Sequence, residues 1–226
     1  MDPSSVISVS DAITSRRSHR HYLSDPIPSE LLDRLLELTL EAPSAWNYQG
    51  RSIVVASDPD VRAGLESATG GQPHPREAPV VLVFLAELKA WERDNSDVFE
   101  SALGNRAWSQ QFASGSAESS RAFQQDLVER GLEREYAVKD AVIAASFAML
   151  AATELGLVCS PMNGWDEARV KKVVGIDDRD DIAVALLLPV GFAAEDRRHP
   201  GRREVSSSVH YQHYGNHPAG TTRRNS

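Results

Sequence analysis

Val80-Val81-Leu82-Val83-Phe84-Leu85-Ala86 is an unbroken apolar run, β-branched at its start. A strand with one face in water alternates apolar and polar residues, so a continuous run predicts a central strand covered on both faces. Helices are then required on each side of the sheet. Working outward, Ser52 to Ala56 reads as a buried strand and Ile182 to Leu188 as a further strand, the latter ending before Pro189, Val190 and Gly191. Between them Ala137, Val138, Ala141, Val142, Ala145, Ala148, Ala151, Ala152 and Leu155 recur at helical spacing until Gly156 stops the helix. Its small side chains let backbones approach closely, as at a core or a dimer axis.

Local signals place the remaining helices. Ser10-Asp11 provides a capping residue for a short helix that ends in a basic cluster. Pro28-Ser29-Glu30 opens a stronger one whose leucines, from Leu31 to Leu38, make a broad apolar face until Pro43. Asp58-Pro59 reads as an N-cap with proline in the first helical position, and Asp166 caps a helix ending at Gly175. From Glu87 to Glu133 the pattern loosens into serine- and glutamine-rich sequence, which predicts mobile helices and a candidate lid. The element order is mixed α+β, with helices outnumbering strands. No internal repeat or linker divides it, so residues 1–205 are expected to form one domain, followed by a polar tail, 206–226.

A formal charge of -8 over 226 residues argues against a nucleic-acid surface, which requires a basic stripe. The single cysteine excludes an internal disulfide framework, and Met1 to Ser10 lacks a basic end followed by an apolar run. No stretch approaches eighteen consecutive apolar residues. Together these features predict a cytoplasmic protein without a membrane span.

The densest chemical signal is Arg16-Arg17-Ser18-His19-Arg20-His21-Tyr22. Three guanidinium groups packed so closely repel one another unless an anion intervenes, and their forked N–H groups match phosphate oxygens. A solvated basic helix end, complementing the helix dipole, produces the same pattern. A second polar stretch, Pro43-Ser44-Ala45-Trp46-Asn47-Tyr48-Gln49, offers hydroxyl and amide groups suited to the edge of a planar heterocycle. A third, Gly156 to Trp165, places a tight turn between a buried helix and a short capped one.

These segments, in this order, resemble the nitroreductase family of FMN enzymes. The resemblance rests on R-R-S-x-R-x-Y at Arg16 to Tyr22, P-S-x-x-N-x-Q at Pro43 to Gln49, and A-A-x-x-L-G-L at Ala151 to Leu157. It is completed by P-x-x-G at Pro161 to Gly164, then by the last strand, Gly191 and the basic pair Arg202-Arg203. The family implies an α+β fold with a central mixed, mostly antiparallel sheet flanked by helices, and a homodimer whose C-terminal segment reaches the partner. It further implies FMN as cofactor and NAD(P)H as reductant. Hydride then passes through flavin N5 to an electron-poor acceptor, a nitroaromatic, quinone or activated alkene, in ping-pong order.

By the same resemblance Arg16, Arg17 and Ser18 contact the FMN phosphate and ribityl chain, and Arg20 lies near the pyrimidine ring. Pro43, Ser44, Ala45, Asn47 and Gln49 match a loop reaching the flavin held mainly by the partner. Pro161, Met162, Asn163 and Gly164 match the turn that covers one flavin face, and Arg202 or Arg203 returns to the phosphate. One departure stands out: the family commonly continues the second motif as Q-P-W, whereas Gln49 is followed here by Gly50 and Arg51. Two other enzymatic outcomes remain open at this stage, an FMN-dependent dehydrogenase and an oxygen-using member of the superfamily. A non-catalytic binder of some other phosphorylated ligand is also open.

Other residues have simpler readings. Cys159 is expected to be a small buried hydrophobe and His210, His213 and His217 a solvated tail. Glu135, Tyr136 and Lys139 fit an ordinary helix start, although deiodinases of this superfamily grip substrate with the same residue types. Trp91, Trp108, Phe112 and Phe123 are expected to pack rather than to form a substrate cage.

Overall fold

The computed structural model describes residues 7–217. The first residues of the N-terminal stretch and the end of the tail, 218–226, therefore lie outside the described residues. Four strands form one open sheet in the order β1-β2-β4-β3, with β1 at Arg51–Ala56, β2 at Val80–Glu87, β3 at Val158–Cys159 and β4 at Ile182–Gly191. Every pairing between these strands is antiparallel. The mixed character expected of the sheet is reduced to one isolated parallel bridge, Ser18 with Cys159. The two-residue β3 escaped the sequence reading because so short a segment carries no periodicity.

The β2 run splits between two cores, as its lack of alternation demands. Val80, Leu82, Phe84 and Ala86 face α2 (Ser29–Leu40) and α7 (Glu133–Glu154). Val81, Val83 and Leu85 face α3 (Pro59–Ala68) and α8 (Glu167–Val173), where Leu65 and Val170 are fully buried. All ten residues of β4 are buried too. β1 departs from the buried strand expected at Ser52 to Ala56: it lies at the sheet edge, mostly half-buried and with Val55 exposed. α7 presses Ala141, Ala144, Ala145, Ala148 and Ala152 onto the sheet, each 0% exposed, so the alanine repeat serves close approach. By length and composition α7 also passes as a membrane-spanning helix, yet this alanine face belongs to the protein core.

The capping signals hold at Asp58 and Asp166, whose side chains accept backbone N–H groups at the starts of α3 and α8. At α1 (Val9–Ser15) the cap is Ser8 rather than Ser10-Asp11, its hydroxyl accepting Asp11 N–H at 3.1 Å. The sequence reading placed the boundary late because Ser8 is itself followed by a valine that the helix leaves exposed. A one-turn α4 (His74–Glu77) precedes β2.

Residues 87–133 are largely helical, as α5 (Ser96–Gly104) and α6 (Gln110–Glu129). Their loose sequence pattern has a structural cause: α6 buries Ser116, Ser120 and Gln124 while Phe112 and Phe123 stay exposed. Trp108 sits edge-on between Phe99 and Phe112, with ring centroids 5.2 Å from each, so these aromatics pack among themselves.

One outer surface remains apolar. Val9 and Ile13 of α1, Leu40 of α2 and Val142, Ile143 and Phe147 of α7 are all exposed. Beside them runs a groove of about 380 Å³ lined by Val9, Leu38, Phe147 and Leu150 among others.

Candidate cofactor site

After α1 the chain leaves helical geometry at Arg16 (φ -52°, ψ 129°) and runs extended along the β3 edge of the sheet. His19 N–H donates to the Cys159 carbonyl at 3.2 Å, and Leu23 N–H to the Phe192 carbonyl at 3.0 Å. Tyr22 anchors the segment from below, its buried hydroxyl donating to the carbonyls of His19 at 2.9 Å and Pro189 at 3.2 Å. Burial raises the Tyr22 hydroxyl far above its ordinary range, keeping it a neutral donor. Between Tyr22 and the sheet, Gly191 is required by space: a Cβ there would lie 2.5 Å from Pro79 Cδ.

This edge carries a cavity of about 260 Å³ whose wall is almost entirely basic: Arg16, Arg17, Ser18, Arg20, Arg197, Arg198, Pro200 and Arg202. One carboxylate organises it. Glu195 Oε1 accepts the Arg20 backbone N–H and Arg197 Nε–H, each at 2.9 Å, and the Arg20 bond, followed by Arg197, holds its pKa below the usual carboxylate range. Arg17 Nη1 donates to the Thr14 and Arg16 carbonyls at 2.7 and 2.9 Å. Arg16 Nη1 and Arg17 Nε, by contrast, are buried without a hydrogen-bond partner. A buried guanidinium nitrogen left unpaired costs roughly 1–3 kcal/mol or more, and oxygens of a phosphate would remove that cost. The residues present therefore fit the phosphate end of FMN.

Arg16, Arg17, Ser18, Arg20 and Arg202 thus come together as the sequence predicted, whereas Arg203 is not part of this wall. Arg197, Arg198 and Glu195 were not singled out. Their signal was the basic doublets around Pro200-Gly201, which sequence alone could not rank. Pro161 to Gly164 continue beyond β3 along β4, with Met162 bridging Leu187 and its N–H donating to the Leu187 carbonyl at 2.9 Å. The Met162 side chain is buried in the core between the sheet, α3 and α8, so only its backbone borders the edge. Asn163 and Gly164 are exposed, and their N–H groups donate to no carbonyl or side chain among the described residues. Burial pushes the neighbouring Cys159 thiol up to about 12, consistent with an inert hydrophobe.

The Pro43–Gln49 loop lies elsewhere. Ser18 borders Cys159, which pairs with Val190 and through it with Val80, whereas Arg51 pairs with Ala86 at the far end of β2. At about 3.3 Å per residue and about 4.8 Å between strands, this diagonal separates Ser18 from Arg51 by on the order of 25 Å. The two predicted halves of the site sit at opposite corners of one subunit.

The loop is held tightly in an unusual shape. Trp46, Asn47 and Gln49 have φ of 55°, 56° and 50°, a left-handed conformation that costs a side-chain-bearing residue roughly 1–2 kcal/mol. Against that cost, Ser44 Oγ accepts Gln49 N–H at 2.9 Å and Asp140 Oδ2 on α7 accepts Ala45 N–H at 3.0 Å. Burial raises the Asp140 carboxyl above its ordinary value, with the Ala45 N–H and Arg51 opposing. The Tyr48 hydroxyl meets the Ser120 hydroxyl of α6. Gly50 fits where a Cβ would come 2.7 Å from Ala90 Cβ. Near the start of α7, Lys139 pairs with Glu135 at 2.8 Å on the exposed face, whereas Tyr136 packs edge-on against Phe123, 5.6 Å between centroids, and borders the same small cavity as Ala45 and Tyr48 of the loop. Among the described residues, no group of His, Cys, Asp and Glu side chains is placed to hold a metal.

Comparison with known proteins bears on the same residues. The model of the Nitroreductase family matches residues 13–192. The chain belongs to the nitroreductase family. It is 34% identical over 194 residues to a protein of Thermus thermophilus named NADH dehydrogenase, covering 84% of this chain and 89% of that one. A Bacillus subtilis protein bearing an NAD(P)H nitroreductase name is 30% identical over 202 residues, 88% of this chain and 96% of its own length. The fold is shared with a nitroreductase from Exiguobacterium sibiricum solved in complex with FMN, at TM-score 0.82 and 18% identity, over 92% of this chain and 99% of that one.

Proposed function

We propose that this nitroreductase-family chain is an FMN-dependent oxidoreductase, moving hydride from NAD(P)H to a nitroaromatic, quinone or activated alkene in ping-pong order. The observation that carries the reading is the arginine cavity, two of whose lining residues, Arg16 and Arg17, each keep a buried nitrogen without a hydrogen-bond partner. FMN, held by these residues, would supply the two-electron redox chemistry that links reductant to acceptor.

The chain's own residues divide the remaining work. Arg16, Arg17 and Ser18, with Arg202 opposite, hold the phosphate. Arg20, in the same wall, places positive charge where the reduced pyrimidine becomes anionic and so favours reduction. The Asn163 and Gly164 N–H groups are free to donate toward N5. Asn47 and Gln49 supply polar contacts to the heterocycle from the partner subunit. Stacking both substrates in one place requires no acid–base dyad, since positioning carries the catalysis and water can supply protons.

The separation of the two corners supports a homodimer. One subunit spreads the phosphate cavity and the loop further apart than a mononucleotide spans, and a partner's loop completes the site. The apolar surface of α1, α2 and α7 is the matching dimer face. In this reading α5 and α6 act as the lid, residues 1–205 as one catalytic domain, and the protein works in the cytoplasm, where Cys159 stays reduced.

Stopped-flow reduction of the FMN-loaded protein by NADH and by NADPH, then reoxidation by a panel of acceptors, tests both halves of the cycle. Protein that is colourless and gains no flavin absorbance on adding FMN would overturn the proposal. A stable monomer fully loaded with FMN in ultracentrifugation would remove the shared site.

A further inference from the structure

Arg51 stands where the family pattern puts the tryptophan of Q-P-W, and it is only 7% exposed. Its Nη2 donates to the carbonyls of Leu40 at 2.7 Å and Ala42 at 2.8 Å. Leu40 ends α2 and Ala42 lies just past its C-cap, where helical partners run out and the dipole is negative, so a guanidinium is well placed there. The Arg51 backbone N–H also reaches the Gln49 carbonyl, at 2.7 Å. The same residue therefore ties down the chain entering the loop, at Leu40 and Ala42, and the chain leaving it, at Gln49. Asp140, which takes the Ala45 N–H, supplies the nearby negative charge. Arg51 Nε and Nη1 have no hydrogen-bond partner, so its two bonds to the α2 carbonyls are the direct contacts that fix this buried cation.

We infer that Arg51 is a positioning residue: it staples the Pro43–Gln49 loop into its left-handed form, and thereby sets Asn47 and Gln49 in the partner subunit's flavin site. The inference rests on the shared-site reading above. Arg51 touches neither cofactor nor substrate. It does what proline and tryptophan would do by ring stiffness and packing, using hydrogen bonds across the loop's base instead. Gly50 makes this workable, because its missing Cβ lets the loop's exit pack against Ala90.

The test uses FMN-loaded homodimers and mixed dimers purified through two affinity tags. Arg51→Met keeps length and apolar bulk but loses both carbonyl bonds, whereas Arg51→Lys keeps a charged donor. Arg51→Met is expected to lower kcat/KM for the acceptor at least tenfold with FMN affinity within about fivefold, and Arg51→Lys to recover part of the loss. A mixed dimer of an Arg51→Met subunit with an Arg16→Ala/Arg17→Ala subunit contains one intact phosphate cavity facing one intact loop. It is expected to regain close to half the wild-type turnover, although each parent homodimer is impaired. A control dimer pairing Asn47→Ala with Arg16→Ala/Arg17→Ala is expected to do the same.

Turnover by Arg51→Met within twofold of wild type would overturn the inference. So would recovery in the Asn47 control without recovery in the Arg51 hybrid, which would make Arg51 a residue of its own subunit's site or fold. Failure of both hybrids removes the shared site itself and the inference with it. If Arg51→Met does not fold, the Arg51→Lys hybrid decides on the same criterion.

Discussion

The two corners of the sheet contrast in what they leave unresolved, charge gathered around a cavity at one and backbone strain at the other. At the arginine corner the backbone is ordered by β3 and Tyr22, and Glu195 takes the Arg20 backbone N–H and the Arg197 guanidinium, while buried nitrogens of Arg16 and Arg17 are left unpaired. At the loop corner it is the backbone that is strained, at Trp46, Asn47 and Gln49, and side chains from α7, β1 and α6 hold it. Unpaired buried nitrogens occur at both corners, Arg16 Nη1 and Arg17 Nε at the first and Arg51 Nε and Nη1 at the second, so they do not by themselves separate a ligand site from a scaffold. The surroundings do: the first corner opens as a cavity walled by arginines, whereas the second holds its backbone strain with hydrogen bonds from other elements. Charge gathered around a cavity marks where a ligand binds, and strain held by extra bonds marks what is presented to it.

The largest effect is expected from emptying the first corner. Losing two charge-assisted bonds of roughly 1.5–3 kcal/mol each should weaken FMN binding by about 10²- to 10⁴-fold in Arg16→Ala/Arg17→Ala, read by flavin fluorescence titration. A change under tenfold would break the contrast, because the cavity would then be an ordinary solvated surface.

Packing sharpens it next. Gly50→Ala, whose new Cβ meets Ala90 at the crowded loop corner, should cost about 1–3 kcal/mol in denaturant unfolding. Gly164→Ala, with nothing within 4 Å of its Cβ, should change stability by less than about 0.5 kcal/mol. Similar losses at both positions would show the two regions to be equally crowded.

Within the arginine corner the members should differ. Arg20→Ala is expected to lower the flavin midpoint potential more than Arg17→Ala, because only Arg20 is assigned to the pyrimidine ring; equal potentials would erase that division. The smallest effect belongs to Cys159. With its thiol pushed up to about 12, the reactive thiolate is scarce at pH 8, and it becomes abundant only as pH nears that value. Native protein should resist a thiol reagent at pH 8 until denatured, and rapid labelling before unfolding would contradict its burial.

Much of this is legible in the sequence. The Val80 run predicted a two-faced central strand because nothing in it is suited to water, and β2 divides its side chains between two cores. The Arg16 to Tyr22 motif named most of the cavity's first wall for an equally local reason: three arginines within five positions cannot avoid one another. The segment from Glu87 to Glu133 was harder, since α6 turns serines and a glutamine inward, opposite to the usual hydrophobic signal. Met162 sends its side chain into the core while its backbone borders the edge, a division that motif spacing does not display. Arg51 read only as a departure from a pattern, and its partners lie on the other side of a loop.

By itself the sequence determined the α+β class, the burial of β2 and β4, the alanine-lined helix and the family, because each follows from side chains that are neighbours along the chain or repeat at a helical or extended period. Tertiary structure decided the remainder. It brought Arg197, Arg198 and Arg202 to Arg16, left Arg203 out of that wall, and set Pro43–Gln49 at the far corner. Those outcomes depend on strand order and register, which are fixed by packing over the whole sheet and by no local run of residues.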